Sequence, residues 1–480
     1  PQGARTVGAV APIALIAALP LMALASWTYH RVRVSRASAR EVTGVLTRID
    51  QRPRNAIAAI VATLVILVPT GVVAKANYDE YFIQHSSDLT SWLEMGGLQA
   101  IIGRSAIALE LQGYTVRISP ELAGDPALIW AAGGASIPAF DPNVPVPLPV
   151  PSGGLALIIP ATNADVFNFV ERSYPSASVK ALTPSFDRTQ VEARAVLITP
   201  GDAERNLGAT AVFGQGASAT TVSHVIGAAT WPVSSGAGTA ASLQATLVLG
   251  GGQAWQPVSF RVSGLASGTL SIDGDSWPVN AAGTPSLRLG AGNHRVVVRG
   301  KGRAGRQLAL QWTSPAGSIG LGGIPSGWTT VPPLFISSPS LPTGGLLGLY
   351  FPGPVFSGSP VLERVDQTVN SYYQNPPGAL TFPFSTRWLG ILEAPVTGSY
   401  SFGLDSTGPS SLFVDGHEVL KTGPSGGSYS TAIMLTRGPH TLRLDYHSTG
   451  NYLHCYFTWA PPGQSGLSPV PPSVTLPAHG

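Results

Sequence analysis

Hydrophobic and polar positions change rhythm along this chain. Near its start two runs carry no charge: VGAVAPIALIAALPLMALASW from Val7 to Trp27, and AIAAIVATLVILVPTGVVA from Ala56 to Ala74. At about 1.5 Å per residue, such runs cover the roughly 30 Å of a bilayer's hydrocarbon, so the pattern predicts two transmembrane helices within residues 1–77. Pro12, Pro20 and Pro69 interrupt them. Each proline strips a carbonyl of its donor unless a kink or other transmembrane helices relieve it. The loop between the runs holds Arg31, Arg33, Arg36, Arg40, Arg48, Arg52 and Arg54 against Glu41 and Asp50, and short arginine-rich loops stay cytoplasmic. The expectation is a two-pass protein of the cell membrane. Its residues after about 77 would be extracytoplasmic, with Tyr78, Tyr81 and Phe82 at the membrane interface.

The next stretch alternates between periods. Leu89, Trp92, Leu93, Leu98, Ile101 and Ile102 recur at helical spacing, broken at Gly96 and Gly97, which predicts one or two helices. YTVRIS, ALIWAA and GLALIIPA read as strands. NADVFNFVERSYP reads as a helix with Asn163 at the capping position, and SVKAL and EARAVLIT as strands again. Such alternation predicts a compact α/β domain over residues 78–203, with the proline-rich PAFDPNVPVPLPVPSGG as a loop inside it.

From residue 204 onward, short strand-like runs separated by turns repeat themselves. TLSIDGDSWPV and SLFVDGHEVL align on Ile272, Asp273, Gly274 and Val414, Asp415, Gly416, and at the same offset Val258-Ser259-Phe260 falls on Tyr400-Ser401-Phe402. Further on, Gly292-Asn293-His294 answers Gly438-Pro439-His440, and Trp312 answers Trp459. Each Asp-Gly suits a hairpin turn whose glycine takes positive φ. In HTLRLDYHSTGNYLHCYFTW, a turn at Thr449 and Gly450 would pair Tyr446 with Leu453, Leu444 with Cys455 and Leu442 with Phe457 on a core face. The opposite face would align His447 with Tyr452, Asp445 with His454 and Arg443 with Tyr456.

Composition narrows the function classes. Among 480 residues charged side chains make up only 11%, against 56 Gly and 43 Pro, which favours short strands and makes the chain mainly β. The length calls for several domains. A net charge of +3 is small and much of the excess lies in the arginine loop, so no nucleic-acid partner is expected. The lone Cys455 excludes an internal disulfide. No zinc pattern, Gly-x-Ser-x-Gly, Walker loop or paired-carboxylate motif is present, so no catalytic residue is assigned. Of His440, His447 and His454 only the last two share the expected outer face, a weak set for a metal. Arg299, Lys301, Arg303 and Arg306 cluster near a hairpin tip as candidates for an anionic partner.

Gly348 with Tyr350, Arg364 with Asp366, Arg387-Trp388, the run from Pro395 to Phe402, Val414-Asp415-Gly416 and the closing Trp459 follow one another in order. They resemble the protective-antigen-type β-sandwich, the PA14 domain, over 340–466. Residues 204–330 resemble a degenerate copy without the Arg-Trp and Arg-x-Asp pieces, and 467–480 read as a proline-rich tail. Paired spans, an aromatic exit NYDEYF and a small α/β domain are similar in order to the tail of GT-C class membrane glycosyltransferases of the protein O-mannosyltransferase type. The expected architecture is therefore two transmembrane helices, a small α/β domain and two tandem PA14-like sandwiches. These resemblances imply the glycan- or protein-recognition part of a cell-envelope glycosyltransferase whose catalytic domain is not in this chain. The alternative is a non-enzymatic surface adhesin, structural protein or subunit of a membrane complex.

Lectins of the PA14 family hold calcium with two adjacent aspartates after the Tyr-x-Phe strand. Here Asp405 is followed by Ser406, so calcium is disfavoured and no cofactor is expected. Glycans or envelope proteins are the implied partners. Candidate ligand-binding residues are Asp405, Ser406, Asp445, His447, Tyr452, His454 and Tyr456, with Tyr372, Tyr373 and Trp388 as further aromatics, although Trp388 suits a core position better.

Overall fold

The computed structural model describes residues 51–84, 88–141, 148, 150–229, 238–249, 258–303, 306–313, 327–373, 376–377, 380–450 and 453–479. Helix α1 (Gln51–Tyr78) carries the second uncharged run and passes into a π-helical turn at Asp79–Gln84. The expectation of two transmembrane helices is overturned: among the described residues no helix is long and apolar enough to cross a membrane. Lys75 sits in the last turn of α1 and Pro69 breaks its hydrogen-bond ladder from within. Residues 7–27, the other expected span, lie outside the described residues, as does most of the arginine-rich loop.

Helix α2 (Leu89–Glu94) is capped by Asp88, whose carboxylate accepts from Ser91 N at 2.8 Å. Helix α3 (Gly97–Glu110) follows the break and buries Ile102, Ala106 and Leu109, one stripe of its surface. Four strands then form a mixed sheet in the order β1-β2-β4-β3: β1 (Thr115–Ile118), β2 (Leu155–Pro160), β3 (Ser178–Leu182) and β4 (Ala193–Ile198). Strand β2 is buried at every position, which is why LALIIP shows no alternation. The stretch ALIWAA is not a strand but helix α4 (Pro126–Ala131). Asp125 accepts from Ala127 N at 2.8 Å, and Pro126 pre-sets the first helical φ, so the start signal overrides the apolar run. Asn163 does stand at the N-cap of helix α5 (Ala164–Ser173), but makes no capping bond; its side-chain amide donates to Glu121 instead.

The remainder is two β-sandwiches. The first contains β5 (Ala209–Phe213), β6 (Thr220–Val225), β7 (Ala228–Ala229), β8 (Ala240–Leu249), β9 (Ser259–Ser263), β10 (Leu265–Ile272), β11 (Asp275–Pro278), β12 (Gly292–Gly302), β13 (Leu308–Thr313), β14 (Trp328–Thr330) and β15 (Ile336–Ser337). The second contains β16 (Leu346–Pro352), β17 (Leu362–Asp366), β18 (Asn370–Tyr373), β19 (Phe384–Ala394), β20 (Gly398–Ser406), β21 (Ser410–Val414), β22 (His417–Lys421), β23 (Gly427–Leu435), β24 (Gly438–His447), β25 (Leu453–Ala460), β26 (Ser468–Pro469) and β27 (Thr475–Pro477). One layer is ordered β6-β5-β8-β12-β10-β11 with β15 against β8; its counterpart is β17-β16-β19-β24-β21-β22 with β27 against β19. In the opposite layers β13 pairs with β7, β9 and β14, and β25 pairs with β18, β20 and β26; β20 also carries β23. Register repeats as well: Phe260 stands opposite Trp312, and Phe402 opposite Trp459.

The turn expected at Thr449 and Gly450 does not make a hairpin. Strand β24 belongs to the layer of β19 and β21, and β25 to the layer of β18 and β20. Leu442, Leu444 and Tyr446 therefore meet Cys455, Phe457 and Trp459 across the core and not along a ladder. Alternation identifies the inward side chains in either case; it does not say which sheet each strand joins.

The edge strands of the two sandwiches differ. Strand β6 is exposed except at Val225, whereas every residue of β17 is buried. Covering it is the first sandwich: Ala291 N donates to Glu363 O at 2.9 Å, Val365 N donates to Ala291 O at 2.7 Å, and Arg288 Nε donates to Glu363 Oε2 at 2.8 Å. Gly292 is needed there, because a Cβ on it would lie 2.7 Å from the Cβ of Val365. Beneath β17, Asp366 Oδ2 accepts from Tyr350 Oη and, at 2.6 Å, from Trp388 Nε1. Arg364 Nε lies 2.7 Å from Asp366 Oδ1, and the guanidinium also binds Asp141 of the α/β region. Burial lifts the Asp366 carboxyl above the usual range although the Arg364 charge opposes it.

Candidate functional site

On the outer face of the β18-β25-β20-β23 sheet a row of polar positions runs from strand to strand. Asn370 stands opposite Tyr456, Tyr456 opposite Asp405, and Asp405 opposite Ser428. His454 shares that face, two residues before Tyr456, and the two rings stack with centroids 4.9 Å apart and planes 15° from parallel. His454 Nε2 lies 3.0 Å from Asp405 Oδ1, and the Asp405 side chain keeps 49% exposure. A carboxylate thus holds an aromatic platform in place while offering its remaining lone pairs to solvent. Beside Asn370 a cleft of about 650 Å³ opens, in which Asn168, Glu171 and Arg172 of α5 face Gln367, Asn370 and Pro471.

The strand order, the Asp366 cluster and the closing tryptophan all fall within one stretch, and the PA14 domain family matches residues 343–471. Those residues are a PA14 domain. Among similar solved structures is an anti-sigma factor domain-containing protein from Clostridium clariflavum, 21% identical, with 57% of this chain and 100% of that chain covered at a TM-score of 0.27. Another is the epithelial adhesin 6 A domain from Candida glabrata in complex with Galβ1-3GlcNAc, 12% identical, covering 28% of this chain and 88% of that one at 0.24. A PA14 sugar-binding domain from an RTX adhesin is 14% identical, covering 28% of this chain and 100% of that one, also at 0.24. Among curated proteins there is no significant match.

The sequence-derived candidates separate onto different parts of the PA14 domain. Asp405, His454 and Tyr456 come together as described. Ser406 points the other way: it is buried, donates to Gly408 O at 2.7 Å and accepts from Ser410 Oγ at 2.9 Å. Asp445 and His447 lie on the opposite layer. Both Asp445 oxygens are taken by Arg387, at 2.7 and 2.8 Å, and His447 Nδ1 contacts Pro354 O at 2.7 Å. The Arg387 guanidinium also covers the Phe356 ring, 4.3 Å from its centroid, so this face is closed on itself. Tyr452 lies outside the described residues, and the side chains of Tyr372 and Tyr373 are likewise not described. Trp388 is fully buried. Cys455 is buried too, and burial pushes its thiol up to about 12, which makes it inert. Outside the PA14 domain, Arg299, Lys301, Arg303 and Arg306 are all solvent-exposed at the end of β12 and just beyond.

The doubled Asp-Gly turn holds a link that sequence reading missed. Both the aspartate and the glycine take positive φ, 47° and 99° at Asp273-Gly274, 49° and 79° at Asp415-Gly416, the geometry of a tight primed turn. In each copy the aspartate reaches the next-strand histidine: His294 Nδ1 is 2.6 Å from Asp273 Oδ2, and His440 Nδ1 is 2.7 Å from Asp415 Oδ2. Each histidine then places Nε2 at 2.8 Å from a carbonyl four residues back, Gly290 or Thr436. Burial works to raise the Asp273 carboxyl, but the charge and hydrogen bonds of His294 and His479 outweigh it and hold it at about 2. For His440 burial pulls downward, yet its bonds to Asp415 and the Thr436 carbonyl leave it above the ordinary value. The signal was available: the Gly-x-His triplets align between copies, just as the Asp-Gly turns do.

Proposed function

We propose that this chain is a carbohydrate-recognition protein acting outside the cytoplasm, with glycan bound on the outer face of β25 and β20 in its PA14 domain. Tyr456 and His454 supply the stacking surface and Asp405 accepts from sugar hydroxyls. The observation that carries this reading is the stacked His454–Tyr456 pair beside the half-exposed Asp405 carboxylate. Sugar rings present an apolar face and a rim of hydroxyls, which an aromatic platform with a convergent acceptor recognises. Asp405 is followed by Ser406 and not by a second aspartate, so recognition is expected to be independent of calcium. The first sandwich, which repeats the strand order, is read as a divergent copy of the same module.

An association with a cell-envelope glycosyltransferase was expected from the order of segments. It leaned on the two transmembrane helices, and the recognition reading does not depend on it. A scaffolding or adhesive role without glycan is the second reading, favoured by the buried edge strand β17.

A glycan array probed with the full chain, with and without chelator, separates the two. Binding that survives chelation and weakens about tenfold or more in Tyr456→Ala and Asp405→Ala is the expected result. Equal binding by Tyr456→Ala, or an array blank at all concentrations, would sink the proposed site and leave the scaffold.

A further inference from the structure

The Asp-His link of the first sandwich is joined by residues from a distant part of the chain. His479, just beyond β27, brings Nε2 to 3.3 Å from Asp273 Oδ2 and Nδ1 to 2.9 Å from Asp275 Oδ2. Asp273 and His294 side chains are each 1% exposed and His479 is 7% exposed. One donor atom from each of Asp273, His294 and His479 lies within 4.8 Å of the others.

Hydrogen-bond accounting makes this cluster unlike its twin in the PA14 domain. The Gly290 carbonyl can only accept, so His294 must carry its proton on Nε2. The Asp275 carboxylate likewise directs the His479 proton to Nδ1. The remaining nitrogens, His294 Nδ1 and His479 Nε2, both aim at one oxygen, Asp273 Oδ2. Neutral rings would point two lone pairs at a carboxylate. The conflict disappears if each ring takes a second proton, or if one dication stands in for both protons at the same net charge. The carbonyl and carboxylate behind the two rings are the outer partners that metal-bound histidines use to fix their tautomer. Donors about 2 Å from a tetrahedral ion stand roughly 3.3 Å apart, so shifts of less than about 1 Å would open the space. At His440 and Asp415 a single ring faces the carboxylate, and one proton suffices.

We propose that Asp273, His294 and His479 bind a divalent transition metal of the zinc class, with Asp275 orienting His479, and that the ion fastens the segment after β27 to the first sandwich. Two imidazoles and a carboxylate favour zinc or cobalt over calcium or magnesium.

The test uses the full chain without a histidine tag, stripped of metal and titrated with Co²⁺ and then Zn²⁺. Wild type should develop the visible bands of tetrahedral Co²⁺, saturate at one ion per chain and lose them to Zn²⁺. His479→Ala should weaken binding at least a hundredfold and Asp275→Asn ten- to a hundredfold, while His440→Ala leaves it unchanged. His479→Ala removes a side chain outside both sandwich cores, and circular dichroism confirms that its fold is retained. No Co²⁺ spectrum from folded wild type, or full affinity in His479→Ala, would overturn the proposal.

Discussion

The two sandwiches share a strand order and differ in what fills equivalent places. By register, Phe213 occupies the place of Tyr350, Leu243 that of Trp388, Val222 that of Arg364 and Val225 that of Asp366. The PA14 domain has a buried polar cluster where the first sandwich has hydrocarbon. Both solutions hold the same sheet, although Arg364 is buried while its counterpart Val222 stays exposed on the edge strand β6. What the polar version adds is reach, because Arg364 extends from the cluster to Asp141. The family motif pieces are therefore not independent landmarks. Gly348 belongs with them: a Cβ there would lie 2.7 Å from Asp366 Oδ2.

The sharpest way to break the comparison is Asp366→Ala. It removes one of the two carboxylates that Arg364 binds and takes the acceptor from two buried donors, and should cost about 3–5 kcal/mol in denaturant unfolding. Thr221→Ala, on the exposed edge strand of the first sandwich, should stay within about 0.5 kcal/mol. Equal effects would mean that the cluster does not carry the difference.

A smaller effect separates the two turns. Asparagine tolerates positive φ, so Asp→Asn tests the carboxylate without straining the turn. Measured in chelator, Asp273→Asn, fully buried, should cost about 2–3 kcal/mol. Asp415→Asn, with its side chain 49% exposed, should cost about 1 kcal/mol or less because solvent screens it. The order, not the exact size, is the test.

The smallest effect is a pH dependence of the PA14 domain. Asp415 is held below its ordinary value, burial opposing and the His440 bond prevailing, and His440 is held above its own. The Asp415 contribution is present above about pH 4 and is lost as pH falls through its lowered folded value. The His440 contribution is whole below about pH 6.5 and is lost as pH rises through its raised folded value. The link therefore stabilises most between those limits. His440→Ala should flatten the wild-type stability profile above pH 6.5; an unchanged profile would assign the slope elsewhere.

What was legible in the sequence follows from the range of the interactions. Strand faces, the two Asp-Gly turns, the helix break at Gly96 and the PA14 pieces are written in neighbouring residues. In the candidate site, the outward positions of His454 and Tyr456 could be read from alternation, whereas Asp405, expected beyond the Tyr-x-Phe strand, lies within β20. Their grouping could not, because it depends on which layer β25 joins. The ALIWAA stretch misled because its apolar content hides a local start signal, Asp125-Pro126. Arg364 with Asp141, and His479 with Asp273, join residues far apart in the chain, and nothing in either neighbourhood announces the other.

Each sandwich is closed by the segment that leaves it. Strand β15 follows the first module and returns to β8; β27 follows the second and returns to β19, pairing Gly390, Ile391 and Leu392 with Pro477, Leu476 and Thr475. A module is thus incomplete until its own exit has been made and laid back. Excision of the PA14 domain at residue 471 would leave part of β19 as a bare edge, with open amides and carbonyls ready to recruit a strand from another molecule. A boundary beyond Pro477 would carry its own seal.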